Sequence, residues 1–260
     1  MNEVARCAQI ALGIAATAAA PDEPIGLVDL GTGAGLGLQL DRYRYRVGAR
    51  VFGLPTAGLS LTCDLRGTKT PAPAELPPIA GRAGIELRPV DLHDPAARAW
   101  LQACIPPEAS ALARLAAAVE VARQHPATIV AGDAVQALPG VLDSFPPQRP
   151  VIVVDAYLAV FLAREQRAEL TAIMTRAART RPVTWLSLDP LVPLGPSGNQ
   201  SVQGLALPAS LVYDYQQHGV FALLAARTFH DNADSGRLLA RAHPSGQWIE
   251  WIDSTSPAEL

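Results

Sequence analysis

The chain reads as an α/β protein: a mostly parallel sheet with helices on both faces and a carboxy-terminal antiparallel hairpin. Three observations predict this. Short apolar runs that stop at Gly or Asp recur along the chain, at Ile25–Leu30, Leu59–Asp64, Ala127–Ala131, Val151–Val154 and Pro182–Asp189. Helical stretches lie between them, most clearly Pro107–Gln124 around Leu112, Leu115 and Val119, and Arg164–Arg179 around Leu170, Ile173 and Ala177. Strands alternating with helices give parallel pairing through right-handed crossovers. After residue 220 the pattern changes: Val220–Thr228, Arg237–Ala242 and Gln247–Ile252 are separated only by turn-forming stretches, Asp231–Asp234 and Pro244–Gly246. Strands joined by turns pair antiparallel. The expected architecture is therefore Rossmann-like.

Residues 1–24 form a leading helix, with Val4, Cys7, Ala8, Ala11, Leu12 and Ala15 at helical spacing. Its alanine-rich stretch mimics a signal peptide. However, Glu3 cancels Arg6, Gln9 and Thr17 interrupt it, and a strand follows almost at once. Residues 190–210, rich in Gly, Ser, Pro, Asn and Gln, read as a long loop and a candidate substrate lid. Residues 211–260 hold the hairpin, and the whole of 1–260 reads as one domain.

Composition excludes several classes. With 49% apolar and 17% charged residues among 260, the chain has a core and is not disordered. A net charge of −3 gives no global attraction to nucleic acid or anionic membrane, so neither is expected as a partner. No apolar run reaches the length of a membrane span. Cys7, Cys63 and Cys104 are far apart and form no C-x-x-C pair, which suits reduced thiols in a cytoplasmic protein and no metal site. The run Asp41–Arg46 alternates arginine with tyrosine and is read as an exposed, ion-paired segment. Asp94 before Pro95 is read as a helix start.

The chemistry-bearing feature is the turn after the first strand, where Asp29 is followed by Gly31, Gly33, Gly35 and Gly37 at alternate positions. Glycines let the backbone turn tightly and approach a ligand, and a helix opening there would present free N–H groups to an anionic group. The dinucleotide fingerprint fails, because Leu36 or Leu38 stands where its last small residue belongs. That disfavours a nicotinamide-dependent oxidoreductase. No P-loop and no nucleophile elbow is present. The form resembles the first motif of class I S-adenosylmethionine-dependent methyltransferases, which implies Asp29, Gly31, Gly33 and Gly35 as cofactor-binding.

Ligands of open α/β sheets bind beyond the carboxyl ends of the strands. Asp64, closing the expected second strand, is the candidate acceptor for ribose hydroxyls, since a carboxylate offers two acceptor oxygens. Asp133 and the N–H of Ala134 are the candidate adenine contacts. Asp155, after the fourth strand, is the candidate to orient or deprotonate the methyl acceptor, with Tyr157 lining the methyl channel. Asp189, followed by Pro190, reads as a turn residue. Tyr213 and Tyr215 are candidates to contact substrate.

An ordered set of motifs extends this reading over the chain. It comprises Asn2–Cys7, Asp29–Leu36, Leu40–Tyr45, Cys63–Gly67, Arg82–Asp91, Trp100-Leu101, Gly132–Ala134, Trp185–Leu188 and His243–Trp251. Together these resemble the bacterial domain-of-unknown-function family 2332. The resemblance implies a methyltransferase-like fold and little about chemistry. Two departures stand out: the family usually carries a helical segment before the Asn2–Cys7 stretch, and often His-Ser where this chain has Val154-Asp155. The expected function is S-adenosylmethionine-dependent methylation of a small molecule or side chain, and the alternative is a cofactor-binding but catalytically silent interaction or regulatory protein.

Overall fold

The structure is a computed structural model that describes residues 3–18, 20–69, 71, 75–190, 201–218, 220–231 and 233–254. In chain order its elements are α1 (Cys7–Thr17), β1 (Ile25–Leu30), β2 (Arg44–Val47), β3 (Arg50–Gly53), β4 (Ser60–Arg66), β5 (Ile79–Glu86), α2 (Pro95–Ala103), α3 (Ala109–Gln124), β6 (Thr128–Ala131), α4 (Ala134–Asp143) and β7 (Val151–Ala156). There follow α5 (Arg164–Ala177), β8 (Val183–Pro190), β9 (Ser201–Val202), β10 (Leu205–Ala206), α6 (Ala209–His218), β11 (Ala222–His230), β12 (Ala233–Ala242) and β13 (Trp248–Ser254).

Eleven strands form one sheet in the order β3-β2-β4-β13-β12-β11-β8-β7-β1-β5-β6. Five of them, β6-β5-β1-β7-β8, are parallel throughout and follow the 3-2-1-4-5 order of a doubly wound sheet. The strands β11, β12 and β13 then run antiparallel in sequence, as the turn signals predicted. This is a Rossmann-like α/β fold with helices on both faces.

The mixed half departs from expectation. Leu59–Asp64 was expected as the second parallel strand, yet β4 pairs with β13 and β2, and five strands separate it from β1. The true neighbour of β1 is β5, whose run carries two glycines and Arg82 and so shows a weak apolar pattern. Among the described residues between β1 and β5 there is no crossover α-helix. The chain instead makes a six-residue 3-10 turn (Gly37–Arg42) and the strands β2, β3 and β4.

The place beneath the sheet is taken by α1. Every residue from Cys7 to Ala15 is buried, so the helix has no solvent face. It packs against β8 and β11 on one side and β4 and β2 on the other. Small side chains permit this: a Cβ on Gly13 would lie 3.0 Å from Leu186 Cδ1. Gln9, fully buried, donates through Nε2 to the carbonyls of His243 and Trp248, so the helix is pinned to the β12–β13 turn. Gly246 closes that turn with φ +79, and a Cβ there would stand 2.4 Å from the Ala5 carbonyl carbon.

Asp41–Arg46 is not an exposed ion-paired segment. Tyr43 and Tyr45 are fully buried, and their hydroxyls donate to the carbonyls of Leu36 and Leu40. Arg44 and Arg46 alternate outward, the period-2 pattern of a half-buried strand. Asp94 does cap α2, accepting from Ala96 N, with Pro95 in the first turn. The 211–260 segment holds a helix, α6, besides its strands. Of the expected 190–210 loop, residues 191–200 lie outside the described residues, and 201–206 form the short β9–β10 hairpin. No helix among the described residues is long and apolar enough to cross a membrane.

Candidate functional site

The strand order reverses beside β1, so the crevice beyond the carboxyl ends of β1, β5 and β7 is where this fold binds ligands. Side-chain alternation decides what faces it. Along β1, Leu27 and Asp29 point toward α1, while Val28 and Leu30 point into the opposite core. Along β7, Val154 and Ala156 share the α1 side.

The glycine turn is formed as the sequence implies, with Gly31, Gly33 and Gly35 at φ +66, +61 and +72. Its amides, however, are spent within the protein. Gly31 N and Thr32 N donate to Ile85 O, Gly35 N to Thr32 O, and Gly33 N to Glu86 Oε2 at 2.8 Å. The expected helix after the turn is only the 3-10 turn, held across β5 by Arg82. That guanidinium donates to Leu38 O at 2.6 Å and to both carboxylate oxygens of Asp41 at 2.7 and 2.8 Å.

The crevice encloses a cavity of about 50 Å3, lined by Asp29, Gly31, Thr32 and Gly37 below and by Glu3, Arg6 and Cys7 above. Its roof is the 3-10 turn Val4–Arg6. Glu3 caps that turn by accepting from Ala5 N and pairs with Arg114 of α3 at 3.5 Å, while Arg6 Nε donates to Pro244 O at 2.6 Å. Two carboxylates meet here. Asp29 Oδ2 accepts from Thr32 Oγ1 at 2.7 Å. Burial pushes its carboxyl up to about 7, with the charges of Asp155 and Glu86 adding to the rise. Glu86 ends β5 and holds Gly33.

The other candidates stand elsewhere. Asp64 is exposed on β4 and has no access to the turn, so it is not beside the glycine loop. Asp133 is the N-cap of α4 and accepts from Val135 N at 2.9 Å and Gln136 N at 3.1 Å, while Ala134 is buried as the first residue of that helix. Asp155 points to the α5 side, opposite the crevice. It is 1% exposed and accepts from Trp185 Nε1 at 2.6 Å. There it meets Asp189, 5% exposed, which is no surface turn residue. Burial raises both carboxyls, and the charge of Asp155 raises Asp189 further, so the two cannot both ionise readily. Tyr157, in the left-handed region at φ +64, stands at the crevice roof with Arg6 Cζ 4.0 Å over its ring. Tyr213 is exposed, and Tyr215 packs edge-on against Phe221 at 5.4 Å.

Glu86, Arg6 and Asp189 were not read as site residues. The signal for Glu86 was an acidic residue closing the run that ends Gly84-Ile85. No group of three or more metal-ligating side chains occurs among the described residues.

Comparison with known proteins adds the family but no activity. A crystal structure of the 23S rRNA methyltransferase ErmE aligns at 16% identity over 71% of this chain and 45% of that one, somewhat under half its length, with a TM-score of 0.29. A likeness that remote carries no argument, and the fold class rests on the strand order. No curated protein matches the chain. A family model for uncharacterized proteins conserved in bacteria matches residues 1–251, and the chain belongs to that family, DUF2332.

Proposed function

We propose that the crevice at the ends of β1, β5 and β7 binds a nucleoside of the S-adenosylmethionine class, and that the protein serves methyl transfer to a small molecule or side chain. The observation that carries this reading is the Glu86 carboxylate at the end of β5, 2.8 Å from Gly33 N in a turn of three left-handed glycines. A carboxylate there has acceptor oxygens suited to vicinal hydroxyls. Glu86 thus takes the part first assigned to Asp64.

The closed crevice itself does not fit such a ligand. A cavity of about 50 Å3 holds a few waters, and the turn's amides are occupied. No reaction step is therefore derived for it. Binding requires the Val4–Arg6 roof to withdraw and Glu86 to release Gly33 N. That closure favours a second reading, a binding or regulatory protein that transfers nothing. Three unpaired cysteines suit a cytoplasmic, reducing compartment for either.

Thermal denaturation with S-adenosylhomocysteine separates the readings. At about 100 times its dissociation constant the ligand stabilises a binding protein by about 2.7 kcal/mol. The expected result is an upward shift in Tm that is lost in Glu86→Ala and not reproduced by NAD. A folded sample that shows no shift at millimolar ligand overturns the proposal.

A further inference from the structure

The chain is acidic as a whole, but residues 41–69 hold six of its 21 basic side chains and two of its 24 acidic ones, a local excess of four positive charges in a chain of net −3. These residues build the β2–β4 insertion at the β3 edge of the sheet. One face of β4 packs on the α1 core through Leu61 and Cys63. The other face carries no helix in the described structure. On it Arg44 and Arg46 of β2 stand beside Ser60 and Thr62 of β4, and Asp64 stands beside Trp248 of β13.

Arg44, Arg46 and Arg66 are exposed, and none has a carboxylate partner among the described residues. Arg44 makes only a long bond to Pro55 O at 3.4 Å. Arg66 Cζ lies 4.3 Å from the centroid of the Trp248 ring, which gives a flat cationic platform. Beyond it Lys69 donates to Ile252 O. Two acidic groups share the face: Asp64, exposed, and Glu250, which Arg241 already holds. Of large apolar side chains, Val51 and Leu54 are exposed near this edge, too little to insert into lipid.

We propose that this outer face of β2, β4 and β13 binds single-stranded nucleic acid. Alternate residues of a strand project about 6.7 Å apart, a repeat close to that of successive phosphates along an extended chain. Arg44 and Arg46 meet two such phosphates. The exposed hydroxyls of Ser60 and Thr62 donate between them, and the Arg66–Trp248 platform offers a surface on which a base stacks. The proposal stands apart from the crevice and does not depend on what binds there.

The test is fluorescence anisotropy of a fluorescein-labelled 12-nucleotide oligouridylate titrated with the full chain at 50 mM KCl. Saturable binding is expected, with the logarithm of affinity falling against the logarithm of salt at a slope of about −1.4, the value for two phosphates. Arg46→Glu with Arg66→Glu weakens binding at least tenfold. Arg164→Glu with Arg179→Glu, the same charge change on exposed positions of and after α5, changes it less than threefold. Thermal denaturation of each variant confirms that it is folded. Three results overturn the proposal: no binding by folded protein, equal loss in both double variants, or equally tight binding to phosphatidylglycerol vesicles.

Discussion

Two carboxylate pairs stand at the ends of neighbouring strands on opposite faces of one sheet, and they behave differently. Asp29 and Glu86 face the α1 side, each holding a donor from the glycine turn: Thr32 Oγ1 for one and Gly33 N for the other. Asp155 and Asp189 face the α5 side, with Trp185 Nε1 and each other for company. Asp29 of the first pair borders a cavity; the second pair is sealed. Identical residue types at equivalent strand ends therefore become site groups or core groups according to side-chain parity and what covers each face. For a buried carboxyl pair the low dielectric forces one proton to be shared, which makes Asp155–Asp189 a neutral-plus-anion unit held by an indole.

The largest test of this contrast is Asp155→Ala. It removes the acceptor of a buried indole N–H and strands Asp189, and the expected cost is about 4 kcal/mol by urea denaturation. Asp189→Asn keeps the shape of the protonated partner and should cost under about 1 kcal/mol. Equal costs would mean that the pair does not act as one unit carrying a single proton.

The Asp29 side of the comparison is tested by pH. Its carboxyl is raised to about 7 in the fold, whereas an unfolded aspartate releases its proton near pH ~4. Between those values the native state keeps a proton the unfolded state has lost. Stability is therefore full below pH ~4, falls as pH rises toward 7 and levels off above it, by roughly 4 kcal/mol in all. Denaturation midpoints measured from pH 4 to 8 should flatten in Asp29→Asn, leaving the slope that Asp155, Asp189 and the partly buried His243 contribute. An unchanged slope would place Asp29 in water.

A smaller effect than that of Asp155→Ala is expected at Gly35→Ala. A side chain at φ +72 costs about 1–2 kcal/mol, and the added Cβ would lie 3.0 Å from Ile129 Cδ1. If urea denaturation finds the variant as stable as the parent, the turn is not fixed by its glycines.

Several of these features could be read before any fold was known. The turn at Gly31–Gly35, the strands Ile25–Leu30 and Val151–Val154 and the antiparallel end followed from local runs, because each is set within a few residues by apolar content and by glycine at positive φ. Asp64 was misplaced for a different reason. Leu59–Asp64 is a true strand, but nothing local says which strand it pairs with, and the weaker run at Ile79–Glu86 took the place beside β1. Tyr43 and Tyr45 were read as exposed because arginine neighbours masked an alternating pattern. Asp189 was read as a turn residue because Pro190 follows, although β8 extends through that proline.

By itself, then, the amino-acid order determined which segments are strands, where the backbone must bend, and that β1 ends in a glycine turn beside an acidic residue. Only the folded arrangement decided that Glu86 rather than Asp64 stands at that turn, that α1 and the Val4–Arg6 turn roof it, and that Asp155 looks the other way. The reason is that strand partners and covering elements come from contacts far apart along the chain, whose closure reflects packing of the whole core. A side chain's facing also reverses with each residue along a strand.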